Sequence, residues 1–369
     1  MGGGGAGGTP GVGEGAGTTG GGGAAGGAVG CNSTVGGGLA RFAYVAASGA
    51  NQIFAYSVAS ATGALTPTGS PVLTSDPRQL TVDPSHKFLL AASFGTLTTC
   101  ATGCTLVSYA IDQTSGALTA AGSAIAGTNP ISLAVNATST RVYTANTNSD
   151  NLSIFTLDPA SGALVATGTM ATGHFPEWVT LSPDGKSLYV ANTGAGTVSM
   201  FSVDATTGAL VSLGTVAAGT APTFVLVHPT GKFAYAANAD SATITLYTRD
   251  VTTGVLAASV DIPSGIMSRA LAIEPTGHFA YVADQTQIAA FTIDQVNGLL
   301  TATGSPTPVA VGSQPYNLTT DPGGTHLYAG VKGSTAVDVF AIDATTGALC
   351  PVGSPVLAGM DPLHVALSP

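Results

Sequence analysis

The sequence predicts an all-β fold, a seven-bladed β-propeller of four-stranded antiparallel blades closed by the C-terminal strand pairing into the first blade. Three observations carry that reading. A Gly-Ala-Leu type of turn recurs seven times, with its glycine at Gly63, Gly116, Gly162, Gly208, Gly254, Gly298 and Gly347. A proline opens a short apolar run at Pro77, Pro130, Pro176, Pro222, Pro315 and Pro362, with Ser268 and Arg269 standing at the sixth repeat's place. The repeats begin at Arg41 on what matches a second run, and the chain ends on a segment, 362–369, that matches a first run. Four runs in about 46 residues, with turn chemistry between each pair, is the arithmetic of a propeller blade.

Taken in order, the chain opens with a segment in which Gly fills 20 of the first 38 positions. Such a stretch buries too little apolar surface to offset its ordering entropy, so residues 1–40 are expected to be a disordered Gly-rich tail or linker. The composition resembles the stalk that follows the lipidated cysteine of a bacterial lipoprotein, which makes an extracytoplasmic protein, secreted or envelope-tethered, with a signal segment removed ahead of Met1, the expectation. Blade 1 is expected at 41–72 plus 363–369, and blades 2 to 7 at 77–125, 130–171, 176–217, 222–263, 269–309 and 315–357. Within a blade the first run ends at a second proline in most copies, and a Gly-Lys or Gly-His turn leads to an aromatic-rich second run, as in Pro183-Asp184-Gly185-Lys186-Ser187-Leu188-Tyr189-Val190-Ala191-Asn192. In six of the seven repeats an Asp stands four residues before the turn glycine (Asp112, Asp158, Asp204, Asp250, Asp294, Asp343), where its carboxylate can cap backbone amides while Gly takes a positive φ. The borrowed last strand removes the free edges that an open array would leave.

Composition narrows the function. Charged residues are 8% of the chain, the formal net charge is −10, and the basic residues are scattered singly, so no patch could neutralise a run of phosphates and nucleic acid is excluded as a partner. No apolar stretch is long enough for a transmembrane segment. Of the four cysteines, Cys100 and Cys104 flank a three-residue turn that suits a loop-locking disulfide, and Cys31 with Cys350 could pin the tail to the last blade. His86, His278 and His326 sit where other copies carry turn lysines and are expected in solvent, as is His228 at a strand end. No cofactor motif and no metal-ligand spacing stands out, and the chain is expected to be a monomer.

The position six residues before the second proline defines a ring at one mouth of the channel: Arg78, Ile131, Glu177, Thr223, Arg269, Tyr316 and Leu363. The next position adds Trp178, Phe224, Asn317 and His364, and His174 falls near the same mouth. Arg78 and Arg269 are candidates to bind an anionic group, with Trp178, Tyr316, His364 and His174 as further ligand-binding candidates. Glu177 is the catalytic candidate, placed to orient a hydroxyl or water. The bland alternative is that Arg78, Arg269 and Glu177 pair across blades while Trp178 and Phe224 pack.

The Tyr-Val-Ala-Asn and Pro-Asp-Gly-Lys elements of 183–192, the Val-x-x-Phe-x-x-Asp strand and the Thr-Gly-Ala-Leu turn make residues 41–369 resemble the propeller lactonases, the 6-phosphogluconolactonase-like family, and the related YVTN-repeat surface proteins. The resemblance implies lactone hydrolysis by a His, an Arg, a Glu and a second Arg from three successive blades. Those places are held here by Glu177, Thr223, Ala239 and Gln285. The expectation is therefore a lactonase-like propeller that acts as a binding module for a small-molecule, glycan or protein ligand at the channel mouth. The alternative is a divergent lactone or carboxylic ester hydrolase, acting on a sugar-acid lactone, that has re-sited its groups to Glu177, Arg78 and Arg269.

Overall fold

The structure, a computed structural model, describes residues 1, 2, 40–94, 105–265, 267–309 and 314–369. The expectations for the glycine-rich tail, for Cys31 and for the Cys100 and Cys104 pair lie outside these residues; Cys350 is disulfide-bonded. Seven antiparallel sheets make up the propeller. Blade 4 shows the plan, with Pro176–Leu181, Ser187–Asn192, Thr197–Val203 and Leu210–Ala217 each paired to its neighbour in sequence. The second strand, Ser187–Asn192, is buried along its whole length, whereas the fourth is mostly exposed, which is why the Tyr-Val-Ala-Asn run is apolar and the last run is not. The turn before the fourth strand is built as its residues dictate. Asp204 Oδ1 accepts the backbone amides of Thr206 at 3.0 Å and Thr207 at 2.7 Å, and Gly208 takes φ +68°, where an added Cβ would lie 2.5 Å from Arg141 Cγ.

The ring closes through the chain ends. Pro362–Ser368 pairs antiparallel with Phe42–Ala47, Phe42 opposite Ser368 and Val45 opposite Val365, and the Arg41 amide donates to the Ser368 carbonyl at 2.7 Å. The C-terminal segment thus becomes the innermost strand of the blade that the first repeat begins.

Neighbouring blades are latched by one repeated hydrogen bond. The second-strand tyrosine of one blade donates its hydroxyl to the turn-glycine carbonyl of the next: Tyr44 to Gly116, Tyr143 to Gly208, Tyr189 to Gly254, Tyr235 to Gly298 and Tyr281 to Gly347, at 2.6–3.1 Å. Tyr328 of blade 7 completes the circle on Gly63 of blade 1 at 3.0 Å. Blade 2 carries Leu90 at this place, and there the hydroxyl comes from the cross-strand partner, Ser108, which donates to Gly162 at 2.6 Å. These phenols are buried, and burial pushes the Tyr143 hydroxyl up to about 12.

Two of the histidines expected in solvent are buried instead. His228 Nε2 donates to the Gly277 carbonyl at 2.8 Å across a blade boundary, and burial lowers its pKa. His326 lies against Asp321 at 3.2 Å and Thr325 at 2.9 Å. Both occupy seams between blades, a position invisible to a one-blade reading. His278 is exposed and His86 half-buried, with its Nδ1 out of solvent and unpartnered. Arg249, one of the scattered basic residues, is likewise buried, bonding Tyr189 Oη at 2.9 Å and Asp184 Oδ2 at 2.9 Å of the preceding blade.

Candidate functional site

The innermost strands line the channel, and in six of the seven blades a β-bulge near the strand's start aims one side chain into it. Pairing with the second strand skips from Pro77 to Gln79, from Pro176 to Trp178, from Pro222 to Phe224 and from Pro315 to Asn317, so Arg78, Glu177, Thr223 and Tyr316 are the extra residues. The same skip in blades 3 and 1 makes Ile131 and Leu363 extra. A bulged residue leaves the ladder and its side chain is re-aimed. The residue before the proline prepares this: Asp76, Asn129, Phe175, Ala221 and Asp361 have φ between 36° and 56°, and in blade 6 Met267, ahead of Ser268, takes φ 58°. In each of these five proline blades its carbonyl then accepts the amide that follows the second strand, as Phe175 does from Thr193 at 2.9 Å.

All seven ring positions line one cavity at the neck of the channel, joined by Trp178, Phe224, Asn317 and His364. The free space is about 30 Å³, room for one or two waters. Trp178 and Phe224 stack with centroids 4.0 Å apart, and the His364 ring lies 6.2 Å from Trp178 on an almost parallel plane, so the aromatic residues narrow the neck. Below it, a wider stretch of channel is lined by the same strands, including Thr81, Thr180, Thr319 and Thr320.

The polar groups of the neck form one electrostatic unit. Arg269 Nη1 stands 3.8 Å from Glu177 Oε1, an ion pair beyond hydrogen-bonding distance, and its guanidinium carbon is 5.0 Å from the Tyr316 ring centroid. Arg78 donates to Asp76 Oδ2 at 2.9 Å and stacks on Phe94 at 4.3 Å, while its Nε is buried without a partner. Burial pushes the Glu177 carboxyl above the usual carboxylate range, opposed by the Thr193 hydroxyl, by Arg269 and by Arg78. Burial likewise raises the Tyr316 hydroxyl; Glu177 adds to this, and Arg269 and Arg78 oppose it. His364 is buried with Nδ1 unpartnered, and desolvation lowers its pKa to about 3, so it stands neutral.

His174 is not brought into the neck. It lies exposed on the rim, paired with Asp150 at 2.9 Å and stacked on Phe175 at 3.9 Å. Of the places the family resemblance singles out, Thr223 lines the neck but donates its hydroxyl to the Arg269 carbonyl at 2.9 Å, Ala239 is buried, and the Gln285 amide faces Met267 Sδ at 2.6 Å. Sequence reasoning missed Thr193, whose Oγ1 sits 2.6 Å from Glu177 Oε2. Its signal was the Asn-Thr pair shared by Asn146-Thr147 and Asn192-Thr193. Among the described residues no cluster of three or more His, Cys, Asp or Glu could hold a metal ion, and no helix is long and apolar enough to cross a membrane.

A closed ring of seven four-stranded blades around a polar neck defines the molecule as a seven-bladed β-propeller. The family model of the lactonases, described as a 7-bladed β-propeller, matches residues 39–96, 101–181, 171–268 and 262–366, and the chain belongs to that family. No curated protein matches the sequence. Among solved structures it is similar to a protein from Bacteroides uniformis proposed to be a 6-phosphogluconolactonase, with TM-score 0.79 and 22% identity over 88% of this chain and 98% of that one. It is also similar to a periplasmic gluconolactonase from Pseudomonas aeruginosa, with TM-score 0.77 and 20% identity over 88% and 98%. A Lactobacillus plantarum protein follows, with TM-score 0.76 and 20% identity over 89% and 98%. At these identities the likeness is one of fold.

Proposed function

We propose that this propeller is a monomeric extracytoplasmic binding module, secreted or held at the cell envelope by its N-terminal tail, which takes a ligand at the neck and mouth of its channel without family-type lactone hydrolysis. The observation that carries the reading is what stands at the four expected catalytic places. Hydrolysis of a lactone needs a group to activate water and a cation to steady the oxyanion. Thr223, Ala239 and Gln285 offer no charge, and the Thr223 hydroxyl and the Gln285 side-chain nitrogen are engaged within the protein. At the neck itself the free space beside Glu177 is about 30 Å³, less than a whole sugar lactone ring occupies. The disulfide at Cys350 supports an oxidising compartment, as does the periplasmic location named for the Pseudomonas relative.

The alternative, a divergent lactone hydrolase with Glu177 as base and Arg269 or Arg78 at the oxyanion, is favoured by one observation, the raised carboxyl of Glu177 beside a guanidinium. Acid release from 6-phosphogluconolactone and glucono-δ-lactone separates the two. The expected rate is that of buffer alone, in wild type and in Glu177→Ala alike. Robust hydrolysis lost in Glu177→Ala overturns the binding reading.

A further inference from the structure

Two guanidinium groups at the neck have donors to spare. Among the described residues, the Arg269 side chain makes no hydrogen bond, its nearest acceptor being Glu177 Oε1 at 3.8 Å. Arg78 has its Nε buried and unpartnered. Both side chains are partly exposed, 31% for Arg269 and 22% for Arg78, so their open donors face the accessible neck, where a planar fork suits a carboxylate best.

Glu177 is a poor candidate for that anion because its hydrogen bonding points to a proton. Thr193 Oγ1 lies 2.6 Å from Glu177 Oε2 and 2.8 Å from the Pro222 carbonyl oxygen, and a hydroxyl has one hydrogen to give. In the preceding blade the equivalent hydroxyl, Thr147, donates to the equivalent carbonyl, Pro176, at 3.0 Å. The repeat bond to Pro222 takes that hydrogen and a protonated Glu177 then donates to Thr193 Oγ1, whereas an ionised Glu177 competes with Pro222 for it, which is why the hydroxyl opposes the rise of the carboxyl. The other groups facing the neck do not alter the balance. His364 is neutral, Tyr316 is held in its phenol form, Asp76 is paired with Arg78, and Lys332 stands 6.0 Å from the Tyr316 ring centroid.

We propose that the neck is a receptor for the head group of one carboxylate ligand, gripped by Arg269 and Arg78 while Glu177 stays protonated on Thr193. The proposal rests on the binding-module reading and deepens it by naming the ligand chemistry. The free space of about 30 Å³ admits a carboxylate and leaves the remainder of the ligand to emerge from the mouth, so a short and a long carboxylate should both bind. Ionising Glu177 would set a second negative charge beside the bound one, so binding and deprotonation exclude each other.

The test is calorimetric titration of the intact chain with acetate and with gluconate between pH 5 and pH 9. For wild type, affinity should fall about tenfold per pH unit once Glu177 ionises in the free protein. Glu177→Gln, which mimics the protonated acid, should bind both ligands with an affinity that no longer falls. Arg269→Gln should lose binding and Arg269→Lys should weaken it, with melting curves confirming that each variant is folded. Failure of both wild type and Glu177→Gln to bind either carboxylate overturns the proposal. So does a pH dependence that survives in Glu177→Gln, or displacement of acetate by equimolar chloride. Lactone turnover would instead overturn the binding-module reading, whatever acetate does.

Discussion

Replacing Ser108 with alanine probes the latches between blades at the place where the repeat departs from its own rule. Ser108 is fully buried, and its hydroxyl stands 2.6 Å from the Gly162 carbonyl of the next blade. Alanine removes the donor and leaves a buried carbonyl short of a partner, a loss of about 1–3 kcal/mol. The remedy is written elsewhere in the ring. Tyr44 faces Ala55 and Tyr281 faces Ala290 across the strand pair in which Leu90 faces Ser108. The double variant Leu90→Tyr with Ser108→Ala therefore rebuilds in blade 2 the pair already used in blades 1 and 6, and it should be more stable than Ser108→Ala alone. Urea unfolding followed by tryptophan fluorescence and circular dichroism measures all three proteins, with equal m-values required for the comparison. The latch account is refuted if Ser108→Ala stays within about 0.3 kcal/mol of wild type, the ordinary scatter of independent sites, or if the added tyrosine destabilises further.

Removing residues 362–369 takes the innermost strand from blade 1 and uncovers buried Tyr44 and Val45, so the shortened chain should oligomerise or fail to fold; a monomeric peak on size exclusion with unchanged melting would contradict closure. Acid should weaken the fold through the turns. Asp112, Asp158, Asp204 and Asp250 are held below the usual carboxylate range by amides of their own turns, so their folded pKa values lie under the unfolded ones. Their contribution is complete above about pH 4 and disappears as pH falls further. Glu177 has the opposite sign, its raised carboxyl favouring the fold at low pH and losing that benefit as pH rises through its folded pKa. Urea unfolding across pH 3–8 should therefore show Glu177→Gln gaining stability at the alkaline end with its acid limb unmoved, and a displaced acid limb would count against this assignment.

Much of the architecture was legible because it is written seven times over. Pro, Gly, Asp and Tyr each have one steric or hydrogen-bonding job per blade, and a job repeated at fixed spacing is visible without coordinates. The ring of channel-facing positions could be read for the same reason: one offset from one proline, repeated, gave Arg78 through Leu363. What stayed hidden depends on contacts between repeats. Arg249 reaches Asp184 of its neighbour, and His228 reaches Gly277 of the next blade; within its own repeat each looks like a surface residue. The backbone that aims the neck was hidden too, since Phe175, Ala221 and Met267 take a left-handed conformation that their side chains do not announce. The narrowness of the neck follows from how Trp178 lies on Phe224, a packing outcome that no spacing rule supplies.

The pairing of Phe42–Ala47 with Pro362–Ser368 has a topological consequence. Because blade 7 grips blade 1 by the tyrosine bond that joins five of the other six pairs, the order in which the blades are translated is not fixed by their contacts. A peptide link from Pro369 to Ala40, with new ends opened in an exposed bend such as Gly304-Ser305, would leave every hydrogen bond between blades described above in place. The molecule has a seam, and evolution was free to put it elsewhere.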